Sequence, residues 1–205
     1  MKLVAALIVS CAAVAFAQRK IKGGWGGGGG GGGEPTEFRG TFNKGMRKVQ
    51  KEVLARINEL RAEHGVAPLD EDEQMNRYAQ AWAKYLAKTG RFQHRSQRKY
   101  GENIFMSYSS DPNAKLAGQG KKAVESWYSE IKFYQYGNNY NPKAGHFTQC
   151  IWRGSRRIGT GVARSPDGKV FIVSNFDPAG NMQGAFRKNV PRPQGGTQQQ
   201  QMIKG

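Results

Sequence analysis

The segment GHFTQCIWRGSRRIGTG (Gly145–Gly161) places an imidazole inside an apolar, aromatic run. Phe147, Ile151 and Trp152 read as core, so the His146 ring among them needs a hydrogen-bond partner or a chemical job. Downstream, RIGTGVARSPDGKVFIVSNF (157–176) reads as a β-hairpin with Ser165-Pro166-Asp167-Gly168 at its turn. Its run Val170-Phe171-Ile172-Val173 is apolar on both faces. A strand of that kind is buried from both sides, which calls for helices flanking a sheet.

Upstream the rhythm is helical. Val49, Val53, Ile57 and Leu60 recur at helix spacing, with Gly65 after His64 as the stop. A second helix is expected to open at Asp70, with Glu73 completing a capping box. It carries Met75, Tyr78, Ala79, Trp82 and Leu86 on one face and ends at Gly90. KKAVESWYSEIKFY (121–134) gives a third, through Val124, Trp127, Tyr128 and Ile131, with Gly137 beyond. Between the second and third, ENIFMSYS (102–109) reads as a strand. The order helix, helix, strand, helix, hairpin lacks strict alternation, so a dinucleotide-binding fold is excluded and the class is α+β.

The ends are not part of the body. Residues 1–17 have a basic Lys2, an apolar stretch and an Ala15-Phe16-Ala17 end, the layout of a cleaved secretory signal and too short to span a membrane. Residues 18–40 hold GGWGGGGGGGG, a flexible glycine-rich arm, with Arg19-Lys20 as a possible processing site. The Pro/Gln/Gly tail 191–205 has a composition that favours disorder. The body is then 41–190, secreted and extracellular. Of two cysteines, Cys11 lies in the signal, so Cys150 has no partner within the mature chain and reads as a buried free thiol. A formal net charge of +17 favours anionic partners, such as acidic glycans or acidic matrix proteins. No nucleic-acid module and no transmembrane segment is evident.

Four polar residues stand in motif-like settings: His94 in RFQHRS, Glu102 in GENIF, Glu130 in WYSEIKFY, and His146. Together with HGVAPLD (64–70) and FDPAGN (176–181), these segments resemble the signatures of the CAP superfamily of cysteine-rich secretory, antigen 5 and pathogenesis-related proteins, the compact Golgi-associated plant pathogenesis-related type above all. The likeness covers about residues 45–190. It implies a three-layer α-β-α sandwich with a central cleft. It also implies that His94 and His146, with Glu102 and Glu130, form a tetrad that holds a divalent metal, zinc above all, through the imidazoles. Neutral imidazole suits zinc, and nearby carboxylates orient it. A hydrogen-bonded network joining helix to sheet is the alternative role for the same four residues.

Three functions follow as expectations. The first is an extracellular binding protein for a lipid, sterol or other small apolar ligand. Phe133, Tyr134, Tyr136 and Tyr140, in a loop rich in glycine and asparagine, would contact that ligand. The second is a basic protein that binds matrix or acidic glycans, with Arg91, Arg95, Arg98, Lys99, Arg153, Arg156 and Arg157 as an anion-attracting rim around the cleft. The third, a metal-dependent hydrolase, lacks an HExxH helix, and no catalytic residue is assigned. Cys150 follows His146 by four residues, but its apolar neighbours do not suit a nucleophile. His64, at a helix end, is expected to complement the helix dipole.

Overall fold

The computed structural model describes residues 34–97, 99–111, 114–137 and 140–194. The expected signal, most of the glycine arm and all but the start of the tail lie outside the described residues. The elements run α1 (Lys44–Glu63), β1 (Asp70–Glu71), α2 (Glu73–Thr89), β2 (Gly101–Tyr108) and α3 (Gln119–Tyr128). Then come two 3-10 turns (Ser129–Phe133 and Pro142–Ala144), α4 (Gly145–Ile151), β3 (Arg157–Arg164), β4 (Lys169–Asp177) and α5 (Phe186–Asn189).

One sheet, in the order β1-β3-β4-β2, divides the molecule. β2 and β3 pair antiparallel with β4, and β1 lies parallel to β3. Alternation along the strands sends Ile158, Val162, Val170, Ile172 and Phe176 to one face, where α1, α3 and α4 supply Val53, Ile57, Trp127 and Phe147. Phe171, Val173 and Ile104 go to the other face, against Ala79, Trp82 and Leu86 of α2. Each fully buried large aliphatic or aromatic side chain here stabilises the fold by about 1.5–3 kcal/mol. The three layers agree with the expected sandwich. No helix among the described residues is long and apolar enough to cross a membrane.

Helix ends follow local chemistry. Asn43 accepts from the Met46 N–H to start α1. The second helix is capped by Asp72, not by Asp70: Asp72 accepts from the Met75 N–H at 2.9 Å. Asp70 is still extended, its N–H donating to the Arg156 carbonyl. Glu73 does not close a capping box: it follows the Asp72 cap directly as the first helical residue, and Arg47 engages both of its oxygens. α3 stops at Tyr128 and tightens into the 3-10 turn, so Ile131 leaves the expected helical stripe. His64 is buried, bonded through Nδ1 to the Pro191 carbonyl and through Nε2 to the Tyr128 hydroxyl. Burial holds its pKa below the ordinary imidazole value. Its role is therefore a neutral link between α1, α3 and the C-terminal segment, which corrects the expected charge–dipole role.

The body is longer than 41–190. Phe38 N–H donates to Arg77 O, and the Arg77 guanidinium returns bonds to the Phe38 and Gly40 carbonyls. At the other end, Gln194 N–H donates to Glu63 O. Residues 34–40 and 191–194 are thus packed chain and not free arms.

The outer edge of β3 extends beyond the two residues of β1, and side-chain amides occupy the ladder positions left over. Asn76 Oδ1 accepts from the Thr160 N–H, and Gln80 both accepts from the Val162 N–H and donates to the Val162 carbonyl. Gln50, from the opposite layer, donates to the Thr160 carbonyl. α2 comes this close because Gly159 and Gly161 carry no Cβ; one built on Gly161 would lie 2.3 Å from Gln80 N. Buried backbone groups otherwise unpaired are satisfied here without another strand.

The candidate metal and ligand cleft

β2 is an edge strand, so the two helical layers meet around its first residues. From the α2 side, the segment after α2 brings His94, whose Nδ1 lies 2.8 Å from Glu102 Oε1. From the other side, α4 brings His146, whose Nδ1 lies 2.7 Å from Glu130 Oε1. The two imidazole rings stack at 6.4 Å between centroids and 29° between planes. Trp127 backs the His146 ring at 6.4 Å. All four residues expected from the sequence therefore converge.

Why the chain folds this way is local. The Glu130 carboxylate also accepts from the N–H groups of His146 and Phe147, so it caps the start of α4 while orienting the ring. The Glu102 carboxylate also accepts from the Arg95 N–H, which fixes the backbone beside His94. Asn175, opposite Glu102 in the β2–β4 register, donates to Glu102 Oε2 and to the Gly101 carbonyl. Asn103 donates to the His146 carbonyl and to Cys150 Sγ. Arg61, buried and pulled down to about 10 by desolvation, donates to the Cys150, Trp152 and Ser155 carbonyls at the end of α4. Asn103, Asn175 and Arg61 escaped the sequence reading. The asparagines left a faint signal, as poor strand formers inside strand-forming runs. Arg61 left none beyond being a charge on the apolar stripe of α1.

A carboxylate accepts and does not donate, so each Nδ1 carries a proton, and in the neutral ring the lone pair sits on Nε2. Both Nε2 atoms are buried and have no hydrogen-bond partner among the described residues. Two adjacent imidazoles with Nδ1 held by carboxylates and Nε2 unengaged fit a divalent ion as nitrogen donors. The carboxylates, committed to Nδ1, do not add a third donor, and no group of three metal-ligating side chains occurs among the described residues. The set suits an ion bound by two imidazoles with its other positions open. It falls short of the three protein ligands usual for catalytic zinc.

The other expected positions scatter. Tyr134 is buried against Tyr136 and Phe147, at 5.0 and 5.5 Å between ring centroids. Tyr140 packs on Phe186 at 5.9 Å, and the Arg192 guanidinium covers Tyr136. Phe133 alone of the four is largely exposed, at 45%. They do not share one open surface, because the loop's rings pack inward on the core. Arg95 is not a rim residue: it is 1% exposed, stacked over Tyr78 and Trp82, and bonded to the Tyr78 and Pro35 carbonyls. Arg157 is ion-paired with Asp72 and Asp177, and Lys99 lies over the Tyr100 ring. Arg91, Arg153 and Arg156 are exposed, and Arg98 lies outside the described residues. Cys150 is a fully buried free thiol, its pKa driven up by burial; that is no nucleophile.

Comparison with known proteins agrees with this architecture. Human Golgi-associated plant pathogenesis-related protein 1 is 36% identical over 154 residues, covering 72% of this chain and 95% of its own. Pathogenesis-related protein 1A of Nicotiana tabacum is 35% identical over 138 residues, covering 66% of this chain and 78% of its own. Secreted protein RBT4 of Candida albicans is 33% identical over 160 residues, covering 70% of this chain and 41% of its own. A crystal structure of NaASP2 with Zn2+ superposes with a TM-score of 0.57 at 26% identity, over 71% of this chain and 87% of that one. Residues 54–176 match the model of the cysteine-rich secretory protein family, CAP, and the chain belongs to that family.

Proposed function

We propose that this protein is an extracellular binding protein whose cleft takes a divalent ion of the zinc class on Nε2 of His94 and Nε2 of His146. The observation that carries this is the pair of buried, unpartnered Nε2 atoms in stacked rings. The relatives named as secreted and pathogenesis-related support the extracellular setting, and the zinc in the NaASP2 structure supports the choice of ion. A bound ion would supply an electrophilic anchor for an oxygen of a ligand. Glu102 and Glu130 hold the two rings in the tautomer that leaves Nε2 basic, and Asn175 and Arg95 hold Glu102. Nothing in the donor set favours a hydrolase.

The test is calorimetric titration of zinc into the full chain, the His94→Ala/His146→Ala double variant and Glu102→Gln. The expected result is one ion on the wild type, none on the double variant, and about 10–100-fold weaker binding for Glu102→Gln, the usual effect of losing a carboxylate behind a ligating histidine. Equal binding by all three, with the variants folded, would contradict the reading.

A lipid or sterol is the second reading. It is favoured by Phe133, exposed beside a loop in which the buried hydroxyls of Tyr134 and Tyr136 have no hydrogen-bond partner among the described residues. An apolar ligand bearing a polar head would enter by parting those rings. Saturable sterol binding weakened by Phe133→Ala supports it, and sterol binding unchanged by that substitution removes the loop from it.

A further inference from the structure

The excess positive charge has a focus away from the cleft. α1 and α3 pack side by side and run in the same direction: Gly120 sits against the Val49 carbonyl and Glu52, and one turn on, Arg56 bonds Glu125. The lead-in to α3 therefore lies by the first turn of α1, Leu116 against Gly45, and the first turn of α3 lies beside Val49 and Glu52. Lys44, Lys48 and Lys51 follow one another at helix spacing along an exposed stripe of α1, and Lys121 and Lys122 begin α3 after Lys115 in its lead-in. All six are exposed, and none of their side chains has an ion-pair or hydrogen-bond partner among the described residues.

The surrounding acids are already engaged. Glu52 accepts from the Gly118 and Gly120 N–H groups. Glu73 is taken by Arg47, while Glu59, Glu63 and Glu125 surround Arg56 further along α1. The result is a lysine field bounded at one end by an ion pair and at the other by an acidic cluster. Fold stability does not call for it, since neither helix has an acidic residue in its first turn, where one would be favoured and lysine is not.

We infer that this lysine face is a docking surface for a linear sulfated polysaccharide. Lys44 to Lys51 spans about 10 Å along the helix axis, and Lys121, which shares a hollow with Glu52, Arg56 and Glu59, adds a charge beyond its C-terminal end. That layout matches a rod bearing anions at intervals. Lysines are hydrated point charges, suited to a string of sulfates engaged by long-range attraction and not to bidentate capture of one group. The large hydrophobic side chains exposed among the described residues are Tyr108, Phe133 and Met182, and none lies on α1 or α3. A bilayer would find no apolar anchor on this face, and a nucleobase no ring to stack on. This surface is independent of the proposed ion site.

The test measures affinity for a heparin octasaccharide at physiological and at raised salt, using the full chain and three charge variants. The first is Lys44→Gln/Lys48→Gln/Lys51→Gln/Lys121→Gln. The second removes the same charge elsewhere, as Lys88→Gln/Lys143→Gln/Arg187→Gln/Lys188→Gln. The third is Arg91→Gln/Arg153→Gln/Arg156→Gln, at the expected cleft rim. The proposal requires salt-sensitive binding that the first variant weakens tenfold or more, while the other two stay within about threefold of the wild type. Absence of binding at physiological salt, equal losses in the first and second variants, or loss confined to the third would each overturn it. Tighter binding to phosphatidylserine vesicles or to polyglutamate than to the octasaccharide, lost in the first variant, would overturn the choice of partner.

Discussion

Burial decides what single titratable residues do in this protein. His64 illustrates the sign. Desolvation lowers its pKa in the folded chain, against opposing contributions from the Pro191 carbonyl and the Glu63 charge. Well above pH 6.5, its ordinary value, the ring is neutral in folded and unfolded chains alike and adds no pH dependence. Below that, the unfolded chain takes up a proton that the folded ring resists, so stability falls with pH until the folded pKa is reached. The slope is at most about 1.4 kcal/mol per pH unit. Urea unfolding between about pH 7.5 and 5.5 checks this: His64→Gln should flatten the fall relative to wild type, and an unchanged slope would place the proton uptake elsewhere. Sequence gave the right site for His64, a helix end, and the wrong physics, because Tyr128 and Pro191, which seal it in, are distant in sequence. Arg95 is the same lesson for a cation: within RFQHRS it reads as one of a surface cluster, and only the fold reveals Tyr78 and Trp82 beneath it.

At the scale of elements, the contact between α2 and β3 is the tightest constraint. Gly161 lies under the Ala79–Gln80 backbone with no room for a methyl group. Gly161→Ala should therefore cost about 3 kcal/mol or more, as overpacking does when the neighbour is backbone, read as a lowered urea midpoint. A change under about 0.5 kcal/mol, the range of an ordinary surface substitution, would mean that α2 can lift off the sheet freely. The hydrophobic stripes of α1 and α2 and the β3–β4 hairpin were legible because periodicity records them. The short β1 was not, since two exposed acidic residues carry no strand pattern; it exists because the Asp70 and Asp72 N–H groups find the carbonyls of Arg156, just before β3, and of Ile158 within it. The shortened α3 was equally hidden. Its apolar spacing continues to Ile131, but the chain tightens into a 3-10 turn where Glu130 reaches across to His146 and the start of α4.

For the whole molecule, the division of labour follows the sheet. One face carries α2 and, after it, His94; the other carries α4 and His146; the edge strand β2 supplies Glu102 and Asn103 where the two layers meet. The four cleft residues were legible from their motifs, yet their geometry was not. That each carboxylate binds Nδ1, leaving both Nε2 atoms without a partner among the described residues, depends on a convergence of four segments that spacing does not encode. Two residues of the expected anion rim depart from it for a related reason, Arg95 being buried and Arg157 ion-paired: charge in sequence does not say which cations are buried, which are paired, and which remain as a field on α1 and α3. The claim at the centre of this account is that Nε2 of His94 and Nε2 of His146 act together as donors. Zinc K-edge X-ray absorption on the full chain loaded with one equivalent tests it most directly. The prediction is two imidazole nitrogens at about 2.0–2.1 Å, the rest of the shell oxygen, and no sulfur. A shell with sulfur, or without two imidazoles, would contradict it.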